Sequence, residues 1–295
     1  MPVSHLLLAL LVVVVWGVNF IFVKMGLEEF SPLLLCAVRF FLASIPAIFF
    51  IKRPAVPFRL VASYGLVMFA LQFALIFSGM HAGMTAGMAS ILMQTQVFFS
   101  MFFAIVLLSE RPNISQISGA LVSFAGIALV GMHFDQTISL AGFLFILAGA
   151  AAWGYGNLIT KKLAGVNMMA LVVWGSFVAA VPMLILSLAI EGPERIFYTW
   201  NHLTITGISS LLYIVYVSTW IGYGVWNWLL GRYPVSTIVP FSLLVPVVGV
   251  ISSVLILNEP FQLWKLTAGI LVISGLCINL IGTRFFGSKL QVEPA

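Results

Sequence analysis

Residues Leu6–Lys24 read LLLALLVVVVWGVNFIFVK, an apolar run that ends on a cation. A bilayer core about 30 Å thick is crossed by about 20 such residues wound as a helix. Trp16, Gly17 and Asn19 interrupt the aliphatic stretch in its second half. The run begins without a basic segment and ends without a small-residue cleavage site, so it reads as a permanent span rather than a signal peptide. Further along, Trp153-Gly154 and Lys161 repeat Trp16-Gly17 and Lys24 at the same spacing.

Working outward from this run, ten segments qualify as spans. They are His5–Gly26, Pro32–Ile51, Leu60–His81, Thr85–Ser109, Ile114–Met132, Leu140–Leu163, Met168–Ile190, Leu203–Leu230, Val235–Leu257 and Gln262–Thr283. Lipid-facing backbone must satisfy its own hydrogen bonds, which selects helix. The composition agrees: 62% of the residues are apolar and 7% are charged, against about 25% charged in a soluble domain. Cys36 and Cys277 lie inside apolar segments and imply neither a disulfide framework nor a zinc site.

Charge sets direction. With the N-terminus in the cytoplasm, Lys52, Arg53, Arg59, Arg111, Lys161, Lys162, Arg232, Arg284 and Lys289 fall on the cytoplasmic side. Lys24, Arg195 and Lys265 fall outside, and Arg39 lies within a span. This is a positive-inside pattern with both termini cytoplasmic. The net charge of +5 is thereby explained by topology, and nucleic acid is not implied as a partner.

The repeat extends beyond the tryptophans. Phe41–Pro46 reads like Phe177–Pro182, and Glu110 with Gly126 recurs as Glu259 with Gly275. The chain divides into residues 1–137 and 138–295, five spans each. An odd number of spans per half makes the halves run in opposite directions, the inverted repeat of many secondary transporters.

LALLVVVVWG (Leu8–Gly17), VRFFLASIPAIFF (Val38–Phe50), LLGRY (Leu229–Tyr233) and SLLVPVVG (Ser242–Gly249) resemble the EamA family of the drug/metabolite transporter superfamily. The resemblance covers essentially the whole chain, and its nearest likeness is to exporters of O-acetylserine and cysteine. It implies a multi-pass protein of the bacterial inner membrane, all-α, with ten helices in two inverted repeats. It also implies export from the cytoplasm through a pore lined mainly by spans 1, 3, 4, 6, 8 and 9.

Several polar residues lie deep in the spans. Arg39, about two turns into the second span, can bind a substrate carboxylate or glue helices together. Trp16 and Asn19, with Trp153 and Asn157, form matching pairs that can bond a zwitterion or a neighbouring helix. Gln72 and Gln94 bring amides to the third and fourth spans. Gln94 and Gln96 are two apart, so at most one faces a pore. Tyr216 and Tyr223 are seven apart, which places them on one helical face, and Trp226 follows them. Ser242 lies between Pro240 and Pro246, whose missing N–H groups free carbonyls for other partners.

Other classes are disfavoured. No GxxxxGK[ST], HExxH or GxSxG pattern occurs, so neither an ATP-driven pump nor a hydrolytic enzyme is expected. No cofactor or metal is implied. No Asp or Glu lies mid-span, which disfavours an ordinary carboxylate proton relay. The sequence predicts a secondary exporter of small amino acids and related metabolites working by alternating access, as a monomer or homodimer. An exporter of aromatic or drug-like solutes and a non-transporting scaffold are the alternatives.

Overall fold

The computed structural model describes residues 1–133, 138–163, 165–233, 235–260 and 262–286. Among these residues every regular element is a helix. Nine are long and apolar enough to cross a membrane: α1 (Val3–Glu29), α2 (Pro32–Phe49), α3 (Phe58–His81), α4 (Ala86–Leu108), α5 (Ile114–Gly131), α6 (Leu140–Lys162), α7 (Met168–Glu191), α8 (Ile205–Leu230) and α10 (Leu263–Phe286). The expected ninth span, Val235–Leu257, is broken. A single turn at Val235–Ile238 and a 3-10 stretch at Val239–Leu244 precede the regular part, so α9 (Phe241–Leu257) is shorter than the rest. Pro240 and Pro246 supply no backbone N–H, so the regular ladder cannot run through them. Lys289 lies outside the described residues. The short helix Pro193–His202, which starts on a proline, joins α7 to α8.

The irregularities recur at matching places. π-helical turns occupy Gly65–Leu71 in α3 and Tyr213–Ile221 in α8. A 3-10 turn at Met93–Thr95 in α4 answers the one in α9. Non-α turns inside long helices expose backbone groups and often mark functional positions. At the α4–α9 crossing Gln94 Nε2 donates to the Ser242 carbonyl at 3.0 Å, which also accepts the Val245 N–H, so the amide adds a second bond to a carbonyl of the 3-10 stretch.

Small residues let the helices approach. Gly17 meets Val248 of α9, where an added Cβ would come within 2.6 Å of the valine Cβ. Gly65 lies against the backbone of Gly175, and Gly119 against Gly275. In lipid such contact, rather than the hydrophobic effect, holds helices together.

One end of the bundle is fastened by carboxylates reaching across it. Glu29 at the end of α1 accepts from the Thr204 N–H at 2.9 Å, at the start of α8. Glu191 at the end of α7 accepts from the N–H groups of Leu33 (2.8 Å) and Leu34 (3.1 Å), and from the Ser31 and Ser187 hydroxyls, both at 2.7 Å. Glu259, after α9, accepts from Ala86 N–H at 2.7 Å and Gly87 N–H at 3.3 Å, at the start of α4. Each satisfies orphan N–H groups and meets the positive end of a helix dipole. At the opposite end α5 and α7 cap themselves with Asn113 and Asn167.

Candidate functional site

The polar groups that the sequence brings into the membrane converge from α1, α2, α3 and α8. Arg39 of α2 is 2% exposed. Its guanidinium lies 4.0 Å from the centre of the Phe73 ring, with Phe40 and Phe77 at 5.2 and 5.8 Å. Phe73 and Phe77 are one α-helical turn apart on α3 and so present a common wall. Nη2 donates to the Thr219 hydroxyl at 3.3 Å. That hydroxyl donates to the Ile214 carbonyl at 2.9 Å, a bond that spans the π turn of α8. Nε and Nη1 have no partner.

These contacts do not balance the charge. An arginine at mid-membrane costs about 2.5–3.5 kcal/mol on insertion scales, and each buried donor left without a partner costs about 1–3 kcal/mol more. The cation–π contacts return about 0.5–2 kcal/mol. Among the described residues the ion pair of Lys161 with Glu110, at 2.8 Å, lies elsewhere, and no carboxylate is paired with Arg39.

Trp16 of α1 closes the neighbouring wall. Its Nε1 donates to the Ser218 carbonyl at 3.1 Å, and its ring lies 5.5 Å from Tyr223 and 5.2 Å from Trp226. Gly222 allows this approach, because a Cβ there would strike the indole. Tyr223 is also an electrostatic neighbour of Arg39. Lys24 ties α1 to α3, donating to the Met80 carbonyl at 3.3 Å. Asn19 Oδ1, Gln72 Oε1 and Trp220 Nε1 are buried without hydrogen-bond partners. These unpartnered atoms lie on α1, α3 and α8, helices joined to one another and to α2 by the contacts above.

A second, open feature lies at the end away from the carboxylate fastenings. A cavity of about 360 Å³ runs between α4, α5, α6 and α10, with Glu110, Arg111 and Lys161 at its charged mouth and Asn157 in its wall. Asn157 Nδ2 donates to Gln96 Oε1 at 2.8 Å and to Ser100 Oγ at 2.9 Å.

An arrangement of apolar spanning helices with matched interruptions and a buried polar centre suits a carrier of small solutes. The EamA-like transporter family matches residues 3–132 and again residues 140–281. The chain belongs to the EamA-like transporter family. A protein of Salmonella typhimurium named a probable amino-acid metabolite efflux pump is 42% identical over 94% of this chain and 95% of its own length. Its Escherichia coli namesake is 39% identical over the same shares. A solved structure with 14% identity covers 95% of this chain and 99% of its own with a TM-score of 0.54, a likeness of fold.

Within this EamA chain the residues singled out from sequence fall into three groups. Arg39, Trp16, Tyr223 and Trp226 are joined by the contacts above, and Asn19 and Gln72 carry free acceptors on the adjoining helices. Gln94, Ser242 and Asn157 bond across helices, Gln94 with Ser242 and Asn157 with Gln96. Trp153 packs against the main apolar core. Tyr216 makes none of the contacts that join Tyr223 to Trp16 and is 41% exposed. The seven-residue rule assumes α geometry, and the π turn between the two tyrosines holds more residues per turn, rotating one away from the other. Sequence reasoning missed Thr219, Phe73 and Phe77 around Arg39. The four-residue spacing of the phenylalanines was the available signal. It also missed the carboxylate fastenings of Glu29, Glu191 and Glu259, since nothing in the sequence marks which helix start an acid will reach.

Proposed function

We propose that this EamA protein exports amino acids and related metabolites, of the cysteine and O-acetylserine kind, from the cytoplasm by alternating access. The observation that carries the reading is the 42% identity, along nearly the whole chain, with a probable amino-acid metabolite efflux pump. The protein is a carrier rather than an enzyme and resides in the bacterial inner membrane. It has ten membrane helices, α9 being the ninth and shortest span, with both termini in the cytoplasm. The positive-inside distribution of Lys and Arg supports that orientation.

Two inverted five-helix halves, residues 1–137 and 138–295, surround the path. The double family match, the paired π turns of α3 and α8 and the paired 3-10 turns of α4 and α9 all support this division. Solute is bound by the cluster of Trp16, Asn19, Arg39, Gln72, Tyr223 and Trp226. In this orientation the fastened end faces outward and the 360 Å³ cavity, lined by other residues than the cluster, lies toward the cytoplasm.

The test is expression of the chain in a bacterium, followed by measurement of amino acids in the medium. Raised cysteine or O-acetylserine efflux is expected. Unchanged efflux of both and of other amino acids, with altered drug tolerance, would overturn the assignment.

A further inference from the structure

We propose that Arg39 is the anchor for the carboxylate of the transported solute, and that the free carbonyl oxygens of Asn19 and Gln72 receive its ammonium group. This inference rests on the export reading and adds the chemical feature by which cargo is chosen. It makes the protein selective for a free carboxylate and blind to much of the side chain beyond it.

Arg39 is buried to 2%, yet two of its three guanidinium nitrogens are unused. Its one hydrogen bond goes to a neutral hydroxyl at 3.3 Å. Buried charges are normally paired, and among the described residues the groups that meet this one are three phenylalanine rings and a threonine, with Tyr223 and Cys36 as electrostatic neighbours. The guanidinium carbon lies 4.0 Å from the centre of the Phe73 ring, a contact that uses none of its N–H donors as hydrogen bonds. Those donors form a fork that a carboxylate matches better than any neutral group does.

The second half of the argument is the sign of the other unpartnered atoms. Asn19 Oδ1 and Gln72 Oε1 are acceptors without donors, on α1 and α3. The helices concerned touch one another: α2 meets α8 at Thr219 and α3 at Phe73, and α1 meets α8 at Ser218 and α3 at Met80. A site offering unused N–H donors of a cation on one side and unused carbonyl oxygens on the other is complementary to a zwitterion. It is not complementary to an amine, which would meet Arg39 with like charge.

The experiment uses the purified full-length chain and follows tryptophan fluorescence, because Trp16, Trp220 and Trp226 lie at or beside the cluster. L-Cysteine and O-acetyl-L-serine are compared with their methyl esters, which keep the ammonium group and lose the carboxylate charge. The acids are expected to bind at least about tenfold more tightly than the esters, the loss expected from one charged hydrogen bond. R39Q should abolish the difference between acid and ester, and R39K should restore part of it by keeping charge without the planar fork. Equal binding of acid and ester by the unaltered chain would overturn the assignment, as would no response to any carboxylate. So would an R39Q protein that still prefers the acid. The comparison within the unaltered chain decides the matter even where R39Q fails to insert. An acid preference that depends on Arg39, in a chain that exports no amino acid from cells, would overturn the export reading alone.

Discussion

Glu191→Ala removes one acceptor group that serves four donors at once. Two are N–H groups in the first turn of α2, at 2.8 and 3.1 Å, and two are the hydroxyls of Ser31 and Ser187. Loss of a helix N-cap costs about 0.5–2 kcal/mol, and the hydroxyl bonds add about 0.5–1.5 kcal/mol each. The hydroxyls can turn to water and Glu191 is only half-buried, so a total of about 2 kcal/mol is expected. For a chain of this length that lowers the thermal midpoint by roughly 4 °C. The assay is thermal unfolding of the purified protein in detergent, with E194A alongside, since Glu194 is exposed on the short helix that follows. E191Q should fall between the two, because its amide retains one acceptor oxygen and turns donors toward N–H groups. An E191A midpoint no lower than that of E194A would refute the reasoning, because the carboxylate would then hold nothing that water does not replace.

Three more expectations can be checked the same way. Gly65→Ala drives a methyl into the Gly175 carbonyl and to 3.0 Å from its Cα, whereas Gly131→Ala meets nothing nearer than 3.9 Å; G65A should therefore lose folded protein in a detergent-stability assay while G131A does not. Gln94→Leu removes the amide that bridges α4 to the Ser242 carbonyl, which keeps its bond from the Val245 N–H, and should cost about 0.5–1.5 kcal/mol in thermal unfolding, more than the same change at a lipid-facing position. Lys161→Gln should leave the midpoint unchanged, since that lysine is 67% exposed and its Glu110 partner 50% exposed, and water screens such pairs.

Hydropathy located nine of the ten expected spans to within a few residues, because a lipid environment turns length and apolarity into a direct signal. The exception is instructive. Val235–Leu257 reads as one apolar run, but its prolines break the ladder, and the resulting 3-10 turn carries the carbonyl to which Gln94 donates. Arg39 stood out because an arginine in that setting is expensive. Its surroundings did not stand out, since Phe73, Phe77 and Thr219 are 34 to 180 residues away in the chain and look like ordinary span residues. The π turns were illegible because they alter the period that a sequence reading takes as constant, and the one at Tyr213–Ile221 lies between Tyr216 and Tyr223, whose shared face was inferred from that period. The reach of Glu29, Glu191 and Glu259 to other helices was equally hidden. An acid at a helix end looks the same whether it faces water or caps a neighbour.

Those three carboxylates give the molecule a mechanical bias. Each fastens a helix end of one half of the chain to a helix start of the other, and all three lie at the same end of the bundle. At the far end, among the described residues, no carboxylate caps a neighbouring helix: the links there are the exposed Lys161–Glu110 ion pair, the His5–Tyr233 hydrogen bond and the Trp174 indole on the Ile51 carbonyl. Thermal agitation therefore parts the helices first at the far end, while separation at the clasped end must release backbone N–H groups into a lipid-bordered gap. Resting protein spends its time latched on one side, and amide hydrogen exchange in the first turns of α2, α4 and α8 should be the slowest of any helix starts in the chain.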